Sequence, residues 1–272
     1  MREAVLITGV SSGIGLSMTK KFLARGYRVF GSVRSEDKAQ ALQTQLGSGF
    51  SPLVFDVRKA DELKRADDDL GKLLEGAKLS ALINNAGGAE IGPLMHIPIA
   101  DFAAQLDTLV VGQLAVIQRF HKHLAASGTG RRPGRIVNIS SVSGEHANPY
   151  FGAYCAGKHA LEGMSKTLRA ELARVGTPVI VVAPANIATS IWSKQTDALI
   201  DPYRDTRYYP ELQQALRHIG TSVVRQAMSV EEFAEALYEI VRADKPADRY
   251  TLIKAKRRFR PFARARVQLI ES

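Results

Sequence analysis

Short runs of β-branched and aromatic residues recur along the chain, and longer stretches with apolar positions every three or four residues fill most of the gaps between them. Residues 4–7, 27–33, 53–55, 79–83, 135–139, 179–182 and 250–253 read as strands, and the intervening segments as amphipathic helices. The strands are apolar on both faces, as a parallel sheet covered by helices on either side requires. The pattern therefore predicts a single Rossmann-like, doubly wound α/β domain with a parallel sheet of about seven strands. In such a sheet, ligands bind beyond the carboxyl ends of the strands.

Two segments break the rhythm. Residues 126–132, rich in Gly and Arg, read as a loop. Residues 190–225 follow a strand end and are too long for a plain connector, so they are expected to form a partly helical substrate lid. Ser229 with Glu232 makes a capping box that starts a late helix. The expected domain runs over residues 1–253, lid included, and 254–272 form a basic tail.

Composition narrows the picture. With 272 residues, 45% of them hydrophobic, the chain can bury one sizeable core. No unbroken apolar run reaches about eighteen residues, so a cytoplasmic protein without a membrane span is expected. The single cysteine, Cys155, allows no internal disulfide and no cysteine-built metal site. The formal charge of +10 fits a polyanionic cofactor, nucleic acid or an anionic membrane surface equally well. Much of it lies in the tail, from Lys254 to Arg266, and no nucleic-acid recognition motif accompanies it.

The first strand runs into Thr8-Gly9-Val10-Ser11-Ser12-Gly13-Ile14-Gly15, which opens an amphipathic helix. Glycines here let a pyrophosphate approach the amino end of that helix, where free N–H groups and the helix dipole favour negative charge. A tight turn without a ligand would have the same composition. The spacing T-G-x-x-x-G-x-G resembles that of the short-chain dehydrogenase/reductase family, and further family motifs follow in order. Asp56-Val57 is similar to the pair at the adenine ring, and Asn84-Asn85-Ala86-Gly87 to the N-N-A-G turn along the adenine ribose. Pro184-Ala185-Asn186-Ile187-Ala188-Thr189 resembles the segment that grips the carboxamide, with Ala185 replacing a glycine. An acid near the end of the second strand would bind the ribose of NAD. Val33 stands there instead and Arg34 follows, a guanidinium suited to the 2′-phosphate of NADP(H).

Tyr154 and Lys158 lie four residues apart at the start of a helical pattern and so share one face. A phenol is a poor base near neutrality, and a neighbouring cation favours its ionised form. Ser141, at the end of the fifth strand, stands where the family keeps its catalytic serine. The resemblance implies that Tyr154 moves the proton at the reacting oxygen, that Ser141 hydrogen-bonds that oxygen, and that Lys158 lowers the tyrosine pKa and holds the nicotinamide ribose. Leu109 replaces an asparagine that many members carry in a proton relay.

The runs 85–94 and 154–163 look most like the branch containing 17β-hydroxysteroid and retinol dehydrogenases. Ile91, Phe151 and Trp192, with Leu94, Met95 and Tyr150, suggest a hydrophobic pocket for a lipophilic carbonyl or alcohol, though core packing would use the same residue types. The resemblance also implies a homodimer or homotetramer joined through helices near 101–125 and 153–175. The tail has two readings, a solvated end or a weak peripheral membrane contact inserting Phe259, Phe262 and Leu269. The alternative to an enzyme is an NADP(H)-binding sensor or scaffold with weak turnover.

Overall fold

The computed structural model describes residues 3–126, 132–188, 199–254 and 267–271. Seven strands form the parallel sheet: β1 (Ala4–Ile7), β2 (Arg28–Val33), β3 (Phe50–Val54), β4 (Leu79–Asn84), β5 (Arg135–Ile139), β6 (Val179–Pro184) and β7 (Arg249–Lys254). Their order is β3-β2-β1-β4-β5-β6-β7, with all neighbours parallel. The order reverses at β1, so β1 and β4 diverge to opposite halves of the sheet and open a crevice at their carboxyl ends.

An eighth strand departs from the sequence reading. β8 (Val267–Glu271) runs antiparallel to β7. The end of the stretch read as a basic tail thus pairs with the sheet, and the run of cations before it hides the short apolar pattern that does so. Phe259 and Phe262 lie outside the described residues.

Alternation along each strand builds two cores. From β1, Val5 and Ile7 join Met18 and Phe22 of α1 (Gly13–Ala24), Leu42 of α2 (Glu36–Leu46) and Phe233 and Leu237 of α8 (Val230–Arg242). Ala4 and Leu6 face the other way, toward Leu63 and Leu70 of α3 (Ala60–Leu74) and Val116 and Phe120 of α5 (Gly112–Phe120). Each such Leu, Ile or Phe contributes about 1.5–3 kcal/mol by leaving water. The Ser229 hydroxyl accepts from the Glu232 N–H and the Glu232 carboxylate from the Ser229 N–H, the capping box that opens α8.

A third, smaller cluster sits above the sheet. It joins Ile91, Ile97, Phe151 and Cys155 to Ile200, Tyr203, Leu212 and Leu216. Leu212 and Leu216 belong to α7 (Tyr209–Gln226), so the segment read as a lid does hold a helix.

Helix α4 (Ile99–Leu106) continues through a π-helical turn, Asp107–Val111, into α5. Together with a short 3₁₀ turn they form one run, Ile99–His123, the single helix among the described residues long and apolar enough by composition to cross a membrane. Its apolar character is interrupted by polar residues, so a strict search for apolar runs passes over it. In the fold, Leu109, Val116, Ile117 and Phe120 from this run are buried inside the molecule.

Candidate active site

A cavity of about 1170 Å³ lies over the carboxyl ends of the strands. One end is walled by the glycine turn. Gly9 has φ +71° and Gly13 φ +55°, conformations that disfavour side chains. A Cβ on Gly15 would sit 2.1 Å from the Gly9 carbonyl oxygen, so the turn closes only with glycine there. Ser11, Ser12, Gly13 and Ile14 line the opening with Gly9 and Gly15.

Threonine and amides hold this turn against β4. The Thr8 hydroxyl accepts from the backbone N–H groups of Asn85 and Ala86, both at 2.9 Å. The Asn85 amide donates back to the Thr8 and Gly9 carbonyls, and Gln113 of α5 donates to the Ala86 carbonyl at 2.6 Å. Asn84 donates to Asn138 of β5, and Asn138 to Ser165 of α6 (Gly152–Leu172). These bonds tie the N-N-A-G turn to β1, α5 and β5.

Arg34, exposed, and Asp56 with Val57 stand at the same end of the cavity. Asp56 is not a free acceptor. Arg58 grips it from Nε at 3.0 Å and Nη2 at 2.7 Å, and adds a backbone N–H. That pairing holds the Asp56 carboxyl well below the usual carboxylate range, at about 2. Arg58 lines the cavity too, a second guanidinium that the sequence reading overlooked. The D-x-R spacing, which lets an arginine fold back onto a turn aspartate, was its signal.

Ser141, Tyr154, Lys158 and Phe151 come together on the cavity wall, beside Pro184 and Ile187. Ser141 follows β5 by two residues and caps a short 3₁₀ turn, Val142–Gly144, by accepting from the Ser143 N–H. Tyr154 and Lys158 project from the first two turns of α6. The Lys158 ammonium is buried, donates to the Ile139 carbonyl at 2.7 Å and lies 5.6 Å from the Tyr154 ring centre. Burial pushes its pKa down to about 8, and the Glu162 carboxylate pulls the other way.

Burial raises the Tyr154 phenol above its ordinary value, and a hydrogen bond with Ser141 pulls the other way.

The substrate side differs from the sequence reading as well. Ile91 is buried in the third cluster and does not line the cavity. Leu94 packs over Gly152, and Met95 is exposed. Thr189 and Trp192 lie outside the described residues. Tyr150 reaches the wall in a left-handed backbone conformation, φ +69°, a strain of about 1–3 kcal/mol for a non-glycine residue. Its carbonyl accepts from the Gly92 N–H and its phenol donates to Glu211 of α7 at 2.8 Å, which fixes it across the cavity mouth. Glu90 and Glu211 also line this end, and burial raises the Glu90 carboxyl. No sequence motif marks either acid; the fold brings them there.

Leu109 is fully buried in the π-helical turn. It packs so closely that a Cβ on Gly87 or Gly157 would lie 2.8 Å from one of its methyl carbons. Among the described residues no cluster of His, Cys, Asp and Glu could hold a metal ion.

Comparison with known proteins follows the same lines. The family model described as short chain dehydrogenase matches residues 3–199. The chain is 35% identical over 263 residues to an NADPH-dependent 3-dehydrocapnine reductase of Ornithobacterium rhinotracheale, covering 96% of this chain and 91% of that protein. It is 31% identical to an NADPH-dependent 1-acyldihydroxyacetone phosphate reductase of Schizosaccharomyces pombe, over 86% of this chain and 76% of the relative. The crystal structure of an actinorhodin polyketide ketoreductase with NADPH superposes with a TM-score of 0.73 at 26% identity, covering 88% of this chain and 90% of the other.

Proposed function

The chain belongs to the short-chain dehydrogenase family, and from that premise we propose that it is an NADP(H)-dependent oxidoreductase acting on the carbonyl or secondary alcohol of a lipophilic substrate. The observation that carries this reading is one cavity that holds the glycine turn at one end and Ser141, Tyr154 and Lys158 at the other.

The residues present fit the cofactor. The glycine turn lines the cavity at the amino end of α1, where no side chain caps the helix and its N–H groups suit a diphosphate. Arg34, with no salt-bridge partner among the described residues, offers a fork of donors to a 2′-phosphate, and Arg58 adds positive charge beside it. When bound, the nicotinamide cofactor supplies or takes up the hydride.

The chain's own residues handle the proton. Tyr154, protonated because burial disfavours the phenolate, donates to the substrate oxygen during reduction and recovers the proton during oxidation. Ser141 hydrogen-bonds the same oxygen as charge develops there. Lys158 stabilises the phenolate left behind, most strongly once closure of the site excludes water.

Phe151 and Tyr150 present an apolar wall on the substrate side, and similarity to reductases of an acylated and of a polyketide substrate supports a lipophilic ketone. The branch of 17β-hydroxysteroid and retinol dehydrogenases is one such substrate class. In this reading residues 1–253 carry the catalytic domain and 190–225 its lid.

Initial rates of NADPH oxidation over a broad carbonyl library test the proposal. Turnover on lipophilic ketones, preference for NADPH over NADH in kcat/KM, and a loss of at least about 100-fold in Tyr154→Phe are expected. Activity confined to small sugars, equal use of NADH, or an undiminished Tyr154→Phe enzyme would each overturn a part of it. Tight NADPH binding without turnover on any carbonyl would instead favour a sensor.

A further inference from the structure

Beneath the reacting groups lies a set of buried charges to which the proposed chemistry gives no part. Tyr154, Lys158 and Glu162 follow one another at four-residue intervals, so they lie along one face of α6, a turn apart. Glu162 is 6% exposed, and a carboxylate so far from water requires a cation. That cation is Arg249 of β7, 7% exposed, whose Nε lies 3.4 and 3.3 Å from the two Glu162 oxygens.

The same guanidinium reaches further. Its Nη1 donates to the Thr251 hydroxyl at 2.6 Å. Its Nη2 stands 2.9 Å from Glu145 Oε2, an ion pair at an angle that makes no hydrogen bond. Glu145 directly follows the turn that Ser141 caps. Arg249 therefore touches both segments that carry the reacting groups, the Ser141 turn through Glu145 and the Tyr154 helix through Glu162. The two segments press together at Gly144, where a Cβ would lie 2.8 Å from Ser140 Oγ and 2.9 Å from Glu162 Cγ. Well-packed apolar residues would hold helix to turn at less desolvation cost. What a cation shared by two carboxylates adds is a tie between two backbone segments, and a negative charge kept one turn below Lys158.

We propose that Arg249 is a positioning residue that clamps the Ser141 turn against the Tyr154 helix through Glu145 and Glu162, and that Glu162, held by it, helps keep Lys158 charged. The inference rests on the reading of Ser141, Tyr154 and Lys158 given above. The groups that bear on Lys158 are Tyr154 and Glu162 from its own helix, the Ile139 carbonyl from β5 and, behind Glu162, Arg249 from β7. The π-helical turn contributes Leu109, which carries no charge.

The test combines kinetics with a titration that needs no turnover. In protein labelled with ¹³C-lysine, the Lys158 signal is assigned by its loss in Lys158→Arg and followed against pH. Glu162→Gln is expected to lower its midpoint by roughly half to one pH unit. Arg249→Met is expected to lower kcat by about 10- to 100-fold with KM for NADPH unchanged, and Arg249→Lys to recover most of the loss. Should Arg249→Met fail to fold, Arg249→Lys, expected to keep the wild-type midpoint and kcat within about threefold, and Glu162→Gln decide. An unmoved midpoint in Glu162→Gln, or an Arg249→Lys enzyme as slow as a folded Arg249→Met, overturns the proposal. Wild-type protein inactive on every carbonyl would overturn the proposed function instead, and the titration would still judge the charge arrangement.

Discussion

A charged amine buried against one backbone carbonyl costs stability, and Lys158 shows the sign of that cost. Its pKa lies near 8 in the folded protein against an ordinary value of 10.5. Between those two values the unfolded chain holds a proton that the native one has lost, so stability rises with pH across that window, and below it the buried charge is a burden. Lys158→Met is therefore expected to raise the melting temperature at pH 7 by a few degrees while abolishing turnover, a stability–activity trade read by thermal unfolding beside an NADPH assay. A lowered melting temperature would mean that the bond to Ile139 outweighs desolvation. The same titration predicts kcat/KM for reduction that is flat below about pH 8 and falls above it as the ammonium is lost. Residue identities at the turn, Ser141, Tyr154 and Lys158 were legible because motif spacing fixes them. The partners that tune them were not: Arg58, Glu162 and Arg249 gain meaning only when a turn or a sheet edge brings them to a carboxylate or a cation. Ile91 could be read either way because an apolar residue after a strand suits a pocket wall and a core equally, and the fold buries it in one cluster with Tyr203 and Phe151.

Among the elements, strands of parallel sheet were the easiest to read, since residues buried on both faces leave uninterrupted apolar runs such as Ala4–Ile7 and Val179–Pro184. β8 was missed because an edge strand needs only one partner and can be short and mixed in composition. The π-helical turn Asp107–Val111 was equally silent in sequence, although it sits at the position where Leu109 replaces the family's asparagine. An extra residue in that turn re-aims the side chain, and π-bulges of this kind gather at functional sites. Here it seats Leu109 between Gly87, in the N-N-A-G turn, and Gly157, on α6. Packing so close to both segments makes a definite prediction. Leu109→Ala should cost about 2–5 kcal/mol by opening a cavity. Gly157→Ala should destabilise the native protein, because its new methyl group meets Leu109, and should do so far less in the Leu109→Ala background. Denaturant unfolding of the two single variants and the double variant reads that coupling, and additive effects would show that α6 and the π-helical turn do not bear on each other there.

At the scale of the whole molecule, the surfaces left over after folding suggest how copies of it meet. β8 pairs with β7 and takes its place as one edge of the sheet, leaving β7 no free hydrogen-bonding side. The outer face of the helical run Ile99–His123 is different. It is apolar enough to resemble a membrane span, yet Val111 is 60% exposed and Leu106, Val110 and Leu114 are only half-buried. Such a stripe on the longest helical surface fits a second copy of the chain related by a two-fold axis, where the same stripe would meet itself. Light scattering is therefore expected to give a multiple of one chain's mass for the native protein. Val111→Glu should shift it toward a single chain without changing the helical circular dichroism, because like charges would face each other across the axis. Vesicle co-sedimentation separates the competing reading: binding to anionic vesicles that Val111→Glu abolishes, with one chain's mass in solution, would assign the stripe to lipid and sink the dimer.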